Sequence, residues 1–145
     1  MNVKIKKLNE YAKTPTRGSE YAAGYDLYFA SDWGVLIEPH TTMMLGTGIA
    51  VEIQKGYFGA IFARSGIASK RGLRPANCVG VVDCDYRNEL MVALHNDSNT
   101  PQAIASQERI AQLVILPYQD VEFEEVEILS DTERGLGGFG STGTN

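Results

Sequence analysis

Two neighbouring apolar runs decide the fold class of this chain: Met43-Met-Leu-Gly-Thr-Gly-Ile-Ala-Val-Glu-Ile53 and Tyr57-Phe-Gly-Ala-Ile-Phe-Ala63. Both are rich in aliphatic, aromatic or β-branched residues, and a short polar segment separates them. Such runs, bounded by turn residues, are typical of β-strands. Four further segments have the same character, namely Val35–Ile37, Glu89–His95, Arg109–Leu116 and Val121–Leu129. We therefore predict six to ten short strands and almost no helix, which indicates an all-β antiparallel sandwich, jelly roll or barrel.

The last of these segments changes phase in its alternation. Apolar residues alternate with glutamates through Phe123 and resume one residue out of phase at Val126. An extra residue at Glu124 or Glu125 would restore the register, which predicts a β-bulge there.

The only helix that the sequence predicts is a short one around Ile67–Lys70. It follows Arg64-Ser65-Gly66, where Ser65 suits the N-cap position and the adjacent N–H groups would point toward an anion. Arg64 adds a guanidinium group that can hold phosphate. A capped turn beside a few solvated bases has the same pattern, so both interpretations stay open on the residues alone.

Composition limits the classes of function. A chain of 145 residues and 15.9 kDa fits a single domain, residues 1–145. The net charge of −5 argues against binding a nucleic-acid polymer by bulk electrostatics. No apolar run approaches the ~18 residues of a membrane span, and the N-terminus lacks the pattern of a signal peptide. We predict a soluble protein, cytoplasmic or otherwise intracellular, that binds neither nucleic acid nor membrane.

Metal-ligating side chains are scarce. The chain has two cysteines, Cys78 and Cys84, and two histidines, His40 and His95. These are too few for a structural zinc site or a disulfide framework. Chemistry must therefore come from carboxylates, arginines, hydroxyl groups and the backbone.

The C-terminal segment is rich in glycine: Arg134-Gly-Leu-Gly-Gly-Phe-Gly-Ser-Thr-Gly143. As a string it contains G-x-G-x-x-G and has the length of a Walker A loop, but no helix follows and the Walker lysine is missing, so we reject both. Its glycine N–H groups, its hydroxyl groups and Arg134 can still surround phosphate oxygens, while Phe139 can lie over a flat ring. We predict that residues 134–145 form a mobile tail that closes over a nucleotide; a disordered C-terminus is the alternative.

The segment Asn77–Leu90 contains the best candidate for a general base. Val79, Val81 and Val82 lead to Asp83, a setting that can hold a carboxylate in a fixed position where it takes a proton from water. An ordinary turn or strand-edge carboxylate would have the same spacing.

Five segments in order resemble the five motifs of the trimeric dUTP pyrophosphatase (dUTPase) family. They run from residue 22 to residue 143 and so cover nearly the whole chain: Ala22-Ala-Gly-Tyr-Asp-Leu27, Ala63-Arg-Ser-Gly-Ile-Ala68, Gly80-Val-Val-Asp-Cys-Asp-Tyr-Arg-Asn-Glu-Leu90, Glu108-Arg-Ile-Ala-Gln-Leu-Val114 and Arg134-Gly-Leu-Gly-Gly-Phe-Gly-Ser-Thr-Gly143.

The resemblance implies a jelly-roll-like, distorted β-barrel subunit with one short helix, assembled as a homotrimer whose three sites are built from neighbouring subunits. It also implies Mg²⁺-assisted hydrolysis of dUTP to dUMP and pyrophosphate by water attack on the α-phosphorus. Such an activity limits uracil incorporation into DNA and supplies dUMP for dTMP synthesis. Mg²⁺ prefers phosphate oxygens and water, so we predict no direct protein ligand. Asp26 either contacts the water ligands of the metal or is a structural hydrogen-bond acceptor.

The resemblance assigns roles residue by residue. Asp83 would activate the attacking water, and Tyr86 would stack under the deoxyribose and exclude the 2′-hydroxyl of UTP. The other predicted substrate-binding residues fall into a uracil pocket, a phosphate-binding group and the closing tail. They are Asn77, Gly80, Val81, Val82 and Asp83 of a hairpin, with Met91 on the returning strand; Arg64, Ser65, Gly66 and Gln112; and Arg134, Phe139, Gly140 and Ser141.

The chain departs from the family pattern in two places. Asn88 stands where the family usually has glycine, and Gln107-Glu108 stands where Gly-Asp is common. Asparagine tolerates left-handed backbone, so we expect Asn88 to make the turn.

Two other functions remain as alternatives at this point. The related dCTP deaminase shares the fold and the closing tail, although Tyr86 and Asn77 favour the pyrophosphatase. The other alternative is a regulatory protein that is gated by dUTP binding.

Overall fold

The computed structural model describes residues 1–138, and within that range it contains twelve short strands and one helix. The strands are β1 Lys4–Lys7, β2 Thr16–Arg17, β3 Tyr25–Tyr28, β4 Val35–Ile37, β5 Thr42–Gly46, β6 Ile49–Glu52, β7 Tyr57–Phe62, β8 Leu73–Pro75, β9 Val79–Val82, β10 Met91–Asn96, β11 Gln102–Ile104 and β12 Arg109–Pro117. The helix α1, Ser65–Arg71, lies between β7 and β8. The prediction of an all-β chain with one short helix is confirmed, with more strands than expected.

The strands form one large sheet, one smaller sheet and two isolated pairs, all antiparallel. The large sheet has the order β2-β3-β12-β7-β9, and the smaller one has the order β5-β10-β8. The pairs are β1-β6 and β4-β11. Strand β9 is therefore an edge of the large sheet, and β10 is the centre of the smaller one.

A single hydrophobic core joins these sheets. Leu27 of β3, Leu45 of β5, Leu94 of β10 and Ile110 of β12 belong to one cluster, and each is almost completely buried. In β10, alternate residues point inward, as expected for a strand with one face on the core. The core holds the large and the smaller sheet in a fixed relation, and the segment between β9 and β10 crosses from one to the other.

The predicted strand Val121–Leu129 is wrong, and so is the predicted bulge at Glu124 or Glu125. Residues 118–130 contain no strand, and Phe123 and Ile128 are 93% and 84% exposed. Alternation is a local property, but a strand also needs a partner for its backbone groups, and the described part of this chain supplies none here. The irregularity in pairing lies instead in β12, between Arg109 and Ala111 opposite β3.

Other strand boundaries differ for local reasons. The run Met43–Ile53 is two strands, because the chain turns at Thr47 and Gly48, where Gly48 has a φ of +66°. Strand β1 escaped prediction because it is rich in lysine and fully exposed, yet it pairs with β6 and its Lys4 forms an ion pair with Glu52 at 2.8 Å.

The helix is confirmed over a slightly longer range than predicted, but its cap is not. Arg64 is the N-cap residue, with an extended backbone and no side-chain capping bond, and Ser65 is the first helical residue. The hydroxyl group of Ser69 donates to the Ser65 carbonyl, and Gly72, with a φ of 66°, caps the C-terminal end of α1 after Arg71. Within residues 1–138, no helix is long and apolar enough to cross a membrane.

Candidate functional site

Residues Asn77–Met91, called the arch below, connect the two main sheets. Strand β9 pairs with β7, whereas β10 pairs with β5 and β8. In the described residues, β9 and β10 therefore do not form the two-stranded hairpin predicted from the sequence. Because each strand pairs with other strands, β9 belongs to the large sheet and β10 belongs to the smaller one.

The arch encloses a cavity of about 230 Å³. Seven residues predicted to bind substrate line it, together with Ile61 and Leu90: Asn77, Gly80, Val81, Val82, Asp83, Tyr86 and Met91. The volume lies below the range of about 300–1,000 Å³ of pockets for drug-sized ligands, so the cavity suits one small ring system with part of an attached group.

Strand β9 gives this cavity its hydrogen-bonding character. As the edge of the large sheet, it has β7 on one side, and among the described residues no strand pairs with its other side. An unpaired strand edge presents alternating N–H and C=O groups. A Cβ on Gly80 would lie 3.2 Å from the Ile61 Cβ, a tight contact with another residue that lines the cavity. The arch can therefore recognise the edge of a flat ring through backbone donors and acceptors.

The turn that carries Asp83 and Tyr86 is held mainly by its own hydrogen bonds. The Tyr86 backbone N–H donates to the Asp83 carbonyl at 3.1 Å, and the Tyr86 hydroxyl donates to the Glu89 carbonyl at 2.9 Å. Arg87 donates to the carbonyls of Cys84 and Tyr86 at 2.7 and 3.1 Å. Asp83 is exposed, so its carboxylate can meet both water and a bound ligand.

Asn88 does not take the left-handed backbone expected of it. The non-glycine residues with positive φ in the described chain are His40, Cys78 and Gln107, with φ values of 57°, 62° and 56°. Of the two departures from the family pattern, the one that needs left-handed backbone is therefore Gln107, which stands in the β11–β12 turn.

A second group of predicted residues gathers around Asp26 of β3. Arg64 donates through Nε to Asp26 Oδ1 at 2.7 Å, and Arg109 donates through Nη1 to Asp26 Oδ2 at 3.1 Å. Asp26 is only 8% exposed, so these charge-assisted bonds offset the cost of burying its carboxylate. Arg64 uses Nε for this bond, and among the described residues its terminal amino groups remain available for an anion.

Gln112 of β12 completes this group. It stands opposite Asp26 in the β12–β3 ladder, and its Nε2 donates to the Ala63 carbonyl at 2.8 Å. A Cβ on Gly24 would collide with the Gln112 side chain, so glycine keeps that position open. Ser65 and Gly66 lie exposed in the first turn of α1, directly after Arg64. Asp26, Arg64, Ser65, Gly66 and Gln112 thus form one patch, called the phosphate patch below.

Arg109 and Glu89 are site residues that sequence reasoning missed. Arg109 is the second partner of Asp26, and the Glu89 carboxylate accepts the backbone N–H of Gly48 at 2.7 Å. Both residues stand inside the motif segments, but no local pattern distinguishes them, because their partners are 83 and 41 positions away.

Within one chain, Asp83 of the arch and Arg64 of the phosphate patch lie toward opposite ends of β7. Gly59 pairs with Val82, next to Asp83, whereas Phe62 pairs with Val79 and leads to Arg64. At about 3.3 Å per strand residue, this places Asp83 and Arg64 roughly 15–20 Å apart. The structure therefore brings the predicted residues together as two separate groups.

The predicted tail is described only in part. Arg134 is exposed and accepts the Gly137 N–H on its carbonyl at 3.1 Å in a turn, and it does not line the cavity among residues 1–138. Phe139, Gly140 and Ser141 lie outside the described residues.

Carboxylate oxygens of Asp26 and Asp83 are the groups of this site with chemistry that suits the predicted Mg²⁺. Among residues 1–138, no three His, Cys, Asp or Glu side chains come close enough together to hold a metal ion. Both oxygens of Asp26 accept bonds from arginines, whereas the exposed Asp83 carboxylate has room for a hydrated ion. An exposed carboxylate is an oxygen group of the kind that Mg²⁺ prefers.

Comparisons with known proteins agree with the motif segments. A family model described as dUTPase matches residues 10–143. The deoxyuridine 5′-triphosphate nucleotidohydrolase of Nautilia profundicola is 50% identical over 143 residues, which cover 99% of both chains. A Staphylococcus bacteriophage 80alpha dUTPase solved with dUPNHPP is 32% identical, with a TM-score of 0.90 over 99% of both chains. A mutant dUTPase of the S. aureus phage phi11, whose structure addresses a structural Mg(II) ion, is 26% identical, with a TM-score of 0.82 over 90% of this chain and all of that one.

Proposed function

This chain belongs to the dUTPase family, has its jelly-roll fold and hydrolyses dUTP, and we propose that it does so with the arch as the uracil and sugar pocket and Asp83 as the general base. The observation that supports this assignment is the cavity in which Asn77, Gly80, Asp83, Tyr86 and Met91 meet. The related dCTP deaminase activity is not favoured.

Uracil is recognised through the free edge of β9. The N3–H and O4 of uracil need an acceptor and a donor side by side, and the edge of a strand provides both. Cytosine reverses that pattern and would leave buried groups unpaired, a stronger penalty than a lost contact. Thymine differs by one methyl group, so it is refused by the tight packing of the small cavity. Tyr86 stacks under the deoxyribose and leaves no space for a 2′-hydroxyl.

Asp83 activates the water that attacks the α-phosphorus. The Asp83 carboxylate takes the proton as the water oxygen forms its bond to phosphorus, and the bond from the α-phosphorus to the bridging oxygen of pyrophosphate breaks. The products are dUMP and pyrophosphate. A general base must lie within about 2.6–3.2 Å of the water that it deprotonates, and an exposed carboxylate at the mouth of the cavity can meet this requirement.

The phosphate patch binds the triphosphate. Arg64 contacts phosphate oxygens with its terminal amino groups, while Asp26 fixes its Nε. Ser65, Gly66 and Gln112 supply further donors, and Arg134, Phe139, Gly140 and Ser141 close over the nucleotide as the tail. Bound Mg²⁺ would orient the triphosphate and offset its charge.

The site is shared between the subunits of a homotrimer. Asp83 and Arg64 must contact the same triphosphate, yet they lie roughly 15–20 Å apart along β7 of one chain. In the trimer, the arch of one subunit lies beside the phosphate patch of another, so that both can contact the same triphosphate. The exposed apolar side chains of residues 121–129 give a second reason, because a segment of this length and character is normally covered by a partner.

A product assay tests the proposed function. The purified chain is incubated with dUTP, dTTP, dCTP and UTP, with and without Mg²⁺, and pyrophosphate and ammonia are measured separately. We expect rapid pyrophosphate release from dUTP alone, stimulated by Mg²⁺, and no ammonia. Ammonia from dCTP would support the deaminase instead, and dUTP binding without turnover would support a regulatory protein.

A further inference from the structure

The turn between β5 and β6 is hydrogen-bonded to the last residues of the arch. The Thr47 N–H and hydroxyl group both donate to the Leu90 carbonyl, at 3.1 and 2.7 Å, and the Leu90 N–H donates to the Ile49 carbonyl at 2.8 Å. The Gly48 N–H donates to the Glu89 carboxylate at 2.7 Å. Glu89 is thus the arch residue that is hydrogen-bonded to this turn through its side chain.

Glu89 also contacts Tyr86, which lines the cavity, through its backbone. Its carbonyl accepts the Tyr86 hydroxyl at 2.9 Å, so one residue links the β5–β6 turn to the Tyr86 ring. The Glu89 carboxylate packs closely against Gly46, because a Cβ on Gly46 would lie 2.5 Å from Glu89 Oε1. The backbone and the side chain of Glu89 are therefore fixed together.

We propose that Glu89 is a positioning residue for Tyr86 and thereby sets the discrimination between deoxyribose and ribose. This rests on the proposed function, in which Tyr86 occupies the space that a 2′-hydroxyl would need. Steric exclusion of the 2′-hydroxyl requires that the Tyr86 ring cannot move away from the sugar. The Gly48–Glu89 bond and the bond from the Leu90 N–H to Ile49 together fix the peptide group that carries the Glu89 carbonyl. That carbonyl holds the Tyr86 hydroxyl, and the ring keeps its distance from the sugar.

The test compares kcat/KM for dUTP with kcat/KM for UTP in full-length variants. Glu89→Ala removes the acceptor of the Gly48 N–H, whereas Glu89→Gln keeps an oxygen in its place. We expect Glu89→Ala to lower the dUTP:UTP ratio ~10-fold or more, because a small misplacement of a positioning group has large effects, and Glu89→Gln to restore most of it. The control is Glu108→Ala, because the Glu108 carboxylate also accepts a backbone N–H, that of Ala105, at 2.8 Å; it additionally pairs with Arg71, so its loss should lower Tm at least as much.

A purely structural role predicts a different pattern. Glu89→Ala would then lower Tm, as Glu108→Ala does, and leave the dUTP:UTP ratio at its wild-type value, which would overturn the proposal. Tyr86→Phe cuts the same link at its other end and does not disturb the β5–β6 turn. It should lower the ratio as well, and adding Glu89→Ala to it should change the ratio little further.

These results are separable from the proposed function itself. If the wild-type chain releases no pyrophosphate from dUTP, the proposed function fails. If the wild type prefers dUTP to UTP and neither Glu89→Ala nor Tyr86→Phe changes that preference, only the role of Glu89 fails.

Discussion

Asp26 holds two arginines at once, and its replacement by asparagine tests how the phosphate patch is built. An amide oxygen can still accept from one guanidinium group, but the amide N–H₂ then faces the donor of the other. The change therefore removes one charge-assisted hydrogen bond. It also leaves the new amide group poorly paired at a position where Asp26 is only 8% exposed. Losing such a bond costs about 1.5–3 kcal/mol, toward the lower end because the Arg109 side chain is 49% exposed and water can replace its partner.

This loss should appear in stability and in catalysis. With a loss near that lower end, about 1.5–2 kcal/mol, and about 2–4 °C per kcal/mol for a chain of this size, Asp26→Asn should lower Tm by about 3–8 °C. Arg64 would also lose its fixed orientation, so kcat/KM for dUTP should fall ~10-fold or more at a temperature where the variant is fully folded.

Thermal unfolding and steady-state kinetics on the same preparations measure both effects. Asp97→Asn is the matched control, because Asp97 pairs with Arg74 at 2.6 and 3.1 Å on an exposed surface and should affect Tm and kcat/KM much less. A fall in Tm with unchanged kcat/KM would show that Asp26 does not position Arg64. Unchanged values of both would refute the reasoning as a whole.

Three further changes test the proposed site and assembly. Asp83→Asn should lower kcat ~10²–10⁴-fold while calorimetry still detects dUTP binding, and near-normal turnover would exclude Asp83 as the base. Deleting residues 134–145 should depress turnover far more than trimer stability, because ordering about twelve residues at 1–2 kcal/mol each needs phosphate contacts that only a bound triphosphate supplies; a fully active truncated chain would disprove tail closure. Replacing Val121 and Phe123 together by serine should shift the mass measured by light scattering from trimer toward monomer, and an unchanged trimer would show that this segment does not join the subunits.

Much of the fold and of the arch could be predicted because the signals are local. Strand β7 and the run that became β12 are rich in aliphatic and aromatic residues, and the arch residues fall within one short stretch of sequence. Residues 121–129 show the limit of such signals. Apolar residues alternate with glutamates on either side of one phase change, but strand formation depends on a partner, and pairing is not a property of the segment itself.

The missed contacts have a common cause. Asp26 and Arg109 are 83 positions apart, and Gly48 and Glu89 are 41 positions apart, so no window of sequence contains either pair. Backbone conformation is similarly hidden in the sequence. Asn88 does not have the left-handed backbone expected of it, whereas Gln107, in the turn into β12, has a φ of 56°.

Hydrolysis of dUTP in ¹⁸O-labelled water, with mass analysis of both products, tests the central claim most directly. We predict one ¹⁸O atom in dUMP and none in pyrophosphate, because the activated water attacks the α-phosphorus. A label in pyrophosphate would contradict this mechanism, since the water would then have attacked the β-phosphorus.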